Sequence, residues 1–483
     1  MNPLSNEVNI SDDNKVQSSR QQLDSEILFS LDEKPPFGQS LTAAIQHVLA
    51  SFIGIITPTL VIGATLGLQS EIPYLISMAL IISGVGTAVQ ARGFKGIGCR
   101  MIAVQGTSFA FLTAFITGGL LVKSQGGSNQ DILAMMFGIT FVGAFVEIFM
   151  SFFIEHIKKI ITPLTTGIVI TTIGFSLIKV GMTDIAGGYG VSDFGDLSYL
   201  LLGAFVLVIT IALNNSRYPW VRLSAIFIGI ICGAVIAYAS GIAVFQTPQH
   251  VALIAVPIPF KYGFDFSWDI FIPVALVYLL STLETAGDLT ANSLFCGLPI
   301  KGKAYISRIK SGLLADGLNS MLAGMFNTFP NTTFGQNNAV IQLTGVTSRY
   351  IAYFIAVILI VMGLFPFLGV ILQNIPKPVL GGATLVMFAT IAVAGIKILS
   401  SQRINRRSSL IIATSFGLGF GTMLVPDALL QLPDLLRNIL SSPVSTSGLT
   451  AIIMTLVLPD NQTSRSSHIN VLNSADADQV PKV

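Results

Sequence analysis

Apolar residues occur along the chain in long runs, which short polar, glycine-rich or proline-containing stretches separate. Fourteen such runs are recognisable, and a helix needs about 20 apolar residues to cross a membrane. The pattern therefore predicts an all-α polytopic membrane protein with fourteen transmembrane segments. Several runs are shorter than a full crossing and contain glycine or proline. The runs span residues 41–63, 74–91, 101–121, 132–154, 160–182, 197–213, 223–244, 268–288, 308–326, 327–346, 349–372, 378–398, 408–424 and 443–458.

The tenth run differs from the others because it carries three amides in a row, at positions 336–338. Amides in hydrocarbon are costly unless they are hydrogen-bonded. Pro330 breaks a helix, and the β-branched Thr332 and Thr333 favour extended backbone. The run therefore predicts a short strand that leads into a half-helix at membrane depth. Irregular backbone at this depth must line a cavity or lie buried in protein, and it is typical of a transporter's substrate site.

The third run repeats this pattern. Residues 104–111 place Gly106, Thr107 and Ser108 ahead of a helical stretch, as residues 331–336 do in the tenth run. The two runs are the third segments of two halves of seven segments each. An odd number of crossings per half gives the halves opposite orientations, which predicts an inverted repeat. The two half-helices would then meet with their N-termini, each presenting unpaired backbone N–H groups.

The composition and the charges agree with this class. The chain is 52% hydrophobic and 10% charged, with a mean hydropathy of +0.75, whereas soluble domains carry about 25% charged residues. If the segments alternate from a cytoplasmic N-terminus, the cytoplasmic connections carry sixteen lysines and arginines and the opposite side carries five. This asymmetry places both termini in the cytoplasm. The polar ends, residues 1–34 and 460–483, are predicted to be disordered tails.

Several function classes are disfavoured by the sequence. The net charge is only +2 and the basic residues form no stripe, so nucleic acid is not an expected partner. Cys99, Cys232 and Cys296 lie far apart without the spacing of metal ligands. No phosphate-binding loop, zinc cluster or catalytic triad is present. We therefore expect neither an enzyme nor a bound cofactor.

Two carboxylates are the strongest candidates for chemistry. Glu284 and Asp288 are four residues apart in the eighth run, so they share one face of a helix. Two acids on one face inside a membrane are costly unless one is protonated or both are hydrogen-bonded. In the functional interpretation, one acid holds a substrate and the pair or a neighbour carries a proton. In the alternative, both acids are solvated at a cytoplasmic helix end, which suits Asp288 better than Glu284.

Other polar residues in apolar runs allow two interpretations. His47 in the first run is expected to support the site through a hydrogen bond between helices, with a proton relay as the alternative. Asp316 in the ninth run either clamps a neighbouring helix or takes part in coupling. Glu147 in the fourth run is expected to be structural. Phe109 and Phe334 lie beside the predicted breaks, where their rings suit stacking on a flat ligand.

These groups together suggest the shape of a ligand. A carboxylate accepts two N–H groups, an amide offers one donor and one acceptor, and aromatic rings offer flat faces. This set matches the edge of a planar heterocycle with lactam groups. It matches an inorganic anion less well, because Glu284 would repel it.

Four motifs resemble those of the nucleobase–ascorbate transporter family. The signature motif is similar to Phe334–Val346, and the motif of the family's eighth segment is similar to Glu284–Asp288. Gln46-His47 and Gly106–Phe109 resemble the motifs of the first and third segments. The similarity runs from about residue 35 to residue 458 and is strongest to the bacterial xanthine permeases. It includes two further stretches, Gly187–Gly190 with Tyr189, and Pro378–Ala383.

The resemblance implies two domains and a transport mechanism. The core domain would comprise residues 35–154 and 245–376, and the gate domain residues 155–244 and 377–459. The implied activity is proton-coupled import of xanthine or a related purine by an elevator-type motion, in a homodimer of the bacterial inner membrane. A uric acid or uracil permease on the same scaffold, or a membrane receptor that does not transport, remain alternatives.

The resemblance also implies roles for individual residues. Glu284 and Gln336 would bind the nucleobase. Phe109, Phe334 and Ser108 would border it, and support or coupling would come from Gln46, His47, Asp288, Asp316 and Asn337. Ala339 stands where the family signature usually has glycine, so its methyl group is expected to narrow the pocket or to shift helix packing and so to affect the purine preference.

Overall fold

The computed structural model describes residues 28–154, 162–188, 191, 193–218, 221–222, 224–244, 253–300, 302–400 and 404–458. Helices dominate this part of the chain, and two three-residue strands interrupt them. The helices are α1 (Phe37–Leu66), α2 (Ile72–Arg92), α3 (Leu112–Ser124), α4 (Asn129–Phe152), α5 (Pro163–Ile185), α6 (Leu197–Asn214), α7 (Ala225–Ala239), α8 (Trp268–Phe295), α9 (Lys303–Met325), α10 (Gln336–Thr344), α11 (Ile351–Gly363), α12 (Pro366–Gln373), α13 (Lys377–Ser400), α14 (Arg406–Leu424), α15 (Asp434–Leu440) and α16 (Pro443–Val457). The strands are β1 (Gln105–Thr107) and β2 (Asn331–Thr333), and 3₁₀ turns span Phe109–Phe111 and Pro426–Leu429.

Seven of the described helices are long and apolar enough to cross a membrane, namely α1, α2, α4, α5, α6, α8 and α13. Helices α11 and α12 together form an eighth candidate, which bends by 76° at the break before Pro366. Shorter apolar helices include α7, α16 and the stretch Phe109–Ser124. The molecule is therefore a mostly helical, multi-pass membrane protein. The count of fourteen crossings remains a prediction.

The two strands form an antiparallel ribbon. Gly106 faces Thr332 in this pairing, and Gln105 and Thr107 face Thr333 and Asn331. Two further backbone bonds lengthen the ribbon at its ends, from Ser108 N to the Pro330 carbonyl (2.8 Å) and from Phe334 N to the Val104 carbonyl (2.8 Å). Its residues are buried, so the pairing satisfies backbone groups that water cannot reach.

The helices pack in two groups. In one group, α4 packs on α9 and α2 packs on α11. In the other, α5 packs on α13 and α14 packs on α16. Small residues allow these close approaches: a Cβ added to Gly324 of α9 would lie 2.4 Å from the Phe141 nitrogen, and one added to Gly174 of α5 would lie 2.2 Å from the Ala392 nitrogen. The predicted domain boundaries are not decided by this packing and remain a prediction.

The end of the predicted N-terminal tail pairs with the segment after α10. Residues 28–33 run beside residues 345–349, with Phe29 in a parallel bridge to Val346. The Thr347 nitrogen donates to the Phe29 carbonyl (3.0 Å), and Arg349 pairs with Asp32 (2.7 Å). Main-chain bonds therefore join part of the predicted N-terminal tail to the segment after α10, and the extent of the tail stays a prediction. Tyr189 and Gly190 lie outside the described residues.

Candidate functional site

Side chains as well as backbone hold the ribbon in place. Gln105 donates from Nε2 to Thr333 Oγ1 (2.8 Å), which is a bond between its two strands. The Gln105 nitrogen in turn donates to Thr87 Oγ1 of α2 (3.0 Å). On the other strand, the Asn331 nitrogen donates to Ser320 Oγ (3.1 Å) of α9. Helices α2 and α9 therefore fix the ribbon from both sides.

Asp316 of α9 lies fully buried next to the ribbon. Its carboxylate accepts a bond from Thr285 Oγ1 of α8 (2.5 Å) and a long one from Thr333 Oγ1 (3.5 Å). The hydroxyls of Thr285 and Thr332 are 3.0 Å apart. Asp316 thus joins α8, α9 and β2, which is the clamp that we considered as one of its two roles. A coupling role is compatible with this position.

The contact between His47 and Asn337 favours one tautomer of the neutral imidazole. Asn337 Nδ2 lies 3.1 Å from the His47 carbonyl oxygen and 3.0 Å from His47 Nδ1. Because the carbonyl can only accept, the amide presents its NH₂ group here, and Nδ1 also accepts. The proton of a neutral His47 is then on Nε2. Nε2 is buried and has no partner among the described residues.

Glu284 and Asp288 lie one turn apart on α8, and both are partly buried. Asp288 packs against the start of α10, since a Cβ added to Gly335 would lie 2.5 Å from its Oδ1. A carboxylate at a helix N-terminus interacts favourably with the helix dipole. Asn338 Nδ2 also donates to the Asp288 carbonyl (3.1 Å). Glu284 differs, because its Oε2 is buried and accepts no hydrogen bond from the described part of the chain.

The remaining polar candidates lie on the two helices that meet at this point. Gln336 is the first residue of α10 and is partly buried. Gln46 is buried on α1 next to His47. Ala339 belongs to α10, but its side chain lies outside the described part of the structure.

The aromatic candidates and Ser108 pack against protein. The ring of Phe334 is 4% exposed and fills the space between α1 and β1, in contact with the backbone of Gly54 and Gly106. Phe109 makes an edge-to-face contact with Phe388 of α13, with ring centroids 5.5 Å apart. Ser108 Oγ accepts a bond from the Ala110 nitrogen (3.3 Å) and caps the 3₁₀ turn. Stacking of either ring on a ligand remains a prediction.

Comparisons with known proteins identify the family. The model of the permease family Xan_ur_permease matches residues 38–428. Two relatives from Escherichia coli K12 are named xanthine permease XanQ and xanthine permease XanP. XanQ is 42% identical over 90% of this chain and 94% of its own, and XanP is 43% identical over 92% and 97%. The chain belongs to this permease family, the nucleobase–ascorbate transporters. Its relatives are permeases rather than enzymes.

A solved structure supports the fold of this permease. The transmembrane domain of a cyanobacterial bicarbonate transporter, BicA, aligns with a TM-score of 0.55 and 14% identity, over 84% of this chain and 99% of that one. At this identity the likeness shows the fold alone.

The permease has a cavity of about 1160 Å³ on one side of the site. It lies between α1 and α3 on one side and α5 and α13 on the other, at the ends where α1 and α5 finish. Its lining reaches Leu112 and Thr113, at the start of α3, but does not include Glu284 or Gln336. Phe109 precedes Leu112 by three residues, and its contact with Phe388 joins the 3₁₀ turn to α13.

Sequence reasoning missed the polar partners around the ribbon. Asn319 Nδ2 donates to Gln105 Oε1 (3.4 Å), and Thr285 Oγ1 donates to Asp316 (2.5 Å). A usable signal was the spacing of Asp316, Asn319 and Ser320 at i, i+3 and i+4, which places three polar groups on one face of an apolar helix.

Proposed function

We propose that this protein is a proton-coupled symporter that imports xanthine or a closely related purine across the bacterial cytoplasmic membrane. The relatives named xanthine permeases, which match more than nine-tenths of their own length, support this substrate class. The site described above supplies an independent chemical argument for it.

One observation carries the proposal: Glu284 presents a buried acceptor that no donor of the described chain satisfies. A buried acceptor without a partner costs about 1–3 kcal/mol. A ligand that brings N–H groups to this position recovers that free energy. Xanthine carries N–H groups next to carbonyl groups on a planar edge. The amide of Gln336 can donate from its NH₂ group to such a carbonyl oxygen and accept from such an N–H with its own oxygen. Charge-assisted bonds to a carboxylate are also the stronger kind.

Transport proceeds by an elevator-type motion, in which the core domain carries the binding site and moves relative to the gate domain. In the described conformation a cavity leads to the region of Leu112 and stops short of Glu284. Gly287 of α8 approaches Thr166 of α5 so closely that an added Cβ would lie 2.8 Å from Thr166 Cγ2. Close contacts between small residues suit two helix surfaces that slide past each other when the domains move.

The inverted repeat of fourteen crossings belongs to the same proposal. Its support is the antiparallel pairing of β1 with β2, since two halves related by an axis in the membrane plane bring equivalent strands together in opposite directions. The distribution of lysines and arginines supports cytoplasmic termini.

The test is uptake of labelled xanthine by cells that lack their own purine permeases, with Glu284→Gln as the variant. We expect uptake to fall by at least about tenfold at unchanged membrane abundance, because the amide loses the charge and one acceptor position. Asp269→Asn is the matched control, since Asp269 is an exposed acid at the start of the same helix. Uptake that survives Glu284→Gln, or that persists under a protonophore, would contradict the proposal.

Competition by unlabelled urate, guanine, hypoxanthine and uracil decides between the substrates. Strongest competition by urate or uracil would make the protein a permease for that base. Binding of xanthine by purified protein, without accumulation in vesicles, would instead support a receptor.

A further inference from the structure

Glu147 is an acid that the proposed binding site does not use. It lies on α4, is 0% exposed, and neither carboxyl oxygen accepts a hydrogen bond from the described residues. The helices around it are tightly packed. A Cβ added to Gly143 would lie 2.3 Å from the ring of Tyr278, and one added to Gly317 would lie 2.8 Å from the Ile148 side chain. An ionised carboxylate without donors in such a place is very costly.

The group that faces Glu147 from α9 is another acid, Asp316. Asp316 lies next to Glu147 across the contact of α4 with α9, where a Cβ added to Gly317 would lie 2.9 Å from the Ile148 nitrogen. Helix α8 brings a third acid, Glu284, to this region, and its Tyr278 donates its hydroxyl to the Thr140 carbonyl (2.9 Å).

Among the described residues, neither Glu147 nor Asp316 forms an ion pair. Helix α9 carries Lys303, Arg308 and Lys310 near its start, and Lys310 lies over the ring of Phe152 at the end of α4 (5.0 Å). Helix α3 carries only Lys123, which reaches the Leu66 carbonyl at the far end of the bundle. On α4 itself the other acid, Asp131, begins the helix, about 24 Å away at 1.5 Å per residue.

Two carboxyl groups can hydrogen-bond to each other only if one of them carries a proton. Asp316 receives donors from Thr285 and Thr333, which stabilise its ionised form, whereas Glu147 receives none. The proton of the pair therefore belongs on Glu147. The hydroxyl of Thr285 also contacts the hydroxyl of Thr332 in β2 and so connects the acid pair to the ribbon.

We propose that Glu147 holds the coupling proton of this permease, in an acid pair with Asp316. The inference rests on the proposed proton-coupled transport. When the proton leaves, the O–H bond of Glu147 breaks and one forms on Asp316, and a second transfer delivers the proton to water. The two carboxylates left in contact repel each other until the pair binds a proton again. Movement of the ribbon on substrate binding reaches the pair through the hydroxyl of Thr285.

The test uses Glu147→Gln in proteoliposomes, with Asp269→Asn as the control. Two measurements are compared: exchange of labelled xanthine at equal concentrations on both sides, and accumulation driven by an imposed pH gradient. For one coupled proton, a gradient of about one pH unit drives about tenfold accumulation in the wild type. Glu147→Gln keeps the shape of the side chain but cannot release a proton. We expect it to retain exchange, to lose accumulation, and to lose the dependence of exchange on pH.

The outcomes separate this inference from the proposed function. A wild type that exchanges xanthine but does not accumulate it under the gradient refutes proton coupling itself. A wild type that accumulates, together with a Glu147→Gln variant that does so equally with the same pH profile, refutes only the role of Glu147.

A second measurement applies if Glu147→Gln does not reach the membrane. Glu147→Asp retains an acid, and the infrared spectrum of the wild type reports a protonated carboxyl group. We expect a protonated-carboxyl band that changes when xanthine binds and that shifts in Glu147→Asp. A spectrum without such a band, or with a band that the aspartate leaves unchanged, overturns the inference.

Discussion

The contact between Gly106 and Phe334 offers a precise test of how the ribbon positions the site. A Cβ added to Gly106 would lie 2.5 Å from Cζ of the Phe334 ring and 2.8 Å from Ile55 Cγ1. Ordinary contact begins at 3.4 Å, so in Gly106→Ala the ring must retreat by about 0.9 Å. The backbone of Gly54 limits this retreat, because the ring lies so close to it that a Cβ added to Gly54 would be 2.8 Å from Cε2. The ribbon must therefore shift instead of the ring.

Overpacking of this kind costs about 1–3 kcal/mol, and a shift of about 1 Å at a site costs up to about 10²-fold in rate. We expect Gly106→Ala to lower the melting temperature of the detergent-solubilised protein and to reduce xanthine uptake by at least about tenfold. Gly417→Ala in α14 is the matched control, since no heavy atom lies within 4 Å of the added methyl group. The control is expected to retain both properties.

A compensating change makes the reasoning refutable. Phe334→Leu removes the ring atoms that meet the new methyl group, so the double variant is expected to recover stability relative to Gly106→Ala. The coupling free energy should fall in the range of about 0.5–3 kcal/mol that is measured for contacting residues. Gly106→Ala with unchanged melting and uptake, or a double variant whose losses simply add, would show that the ribbon does not depend on this contact.

Two further substitutions probe the gate and the substrate preference. Gly287→Val places a bulky side chain against Thr166, where a Cβ alone would lie 2.8 Å from Cγ2. We expect normal membrane abundance, strongly reduced xanthine uptake and partial recovery of uptake when Thr166→Ala is added. Full uptake by the single variant would contradict a sliding contact between α8 and α5. Ala339→Gly restores the glycine of the family signature. We expect xanthine uptake to persist, while the ranking of xanthine against urate in competition assays changes. An unchanged ranking would show that Ala339 does not determine the purine preference.

Parts of the site follow from the sequence because polar residues are conspicuous in an apolar chain. The amides at positions 336–338 and the acids Glu284 and Asp288 interrupt apolar runs, so their cost in a membrane marks them. The threonines after Pro330 indicate extended backbone by their β-branching, and strand β2 lies there. These inferences use only local patterns.

Partners distant in the sequence could not be predicted in this way. The contact of His47 with Asn337 spans 290 positions, and that of Gln105 with Thr333 spans 228. Hydropathy gives no register for these pairs, because it describes each segment alone and not which segments pack against each other. Glu147 illustrates the same limit: its cost is visible in the sequence, but its neighbour Asp316 emerges only from the packing of α4 on α9.

The buried polar groups with and without hydrogen-bond partners connect the fold to transport. A three-residue ribbon is too short to be stable alone, yet here both backbone pairing and the side chains of α2 and α9 hold it. Its surroundings nevertheless retain buried polar atoms without partners in the described chain, on His47, Glu147, Glu284 and Asn331. A protein that only needed a stable core would replace such groups with apolar ones. Their retention beside a rigid ribbon indicates partners that come and go, and a nucleobase and a proton are the two that this arrangement of donors and acceptors fits.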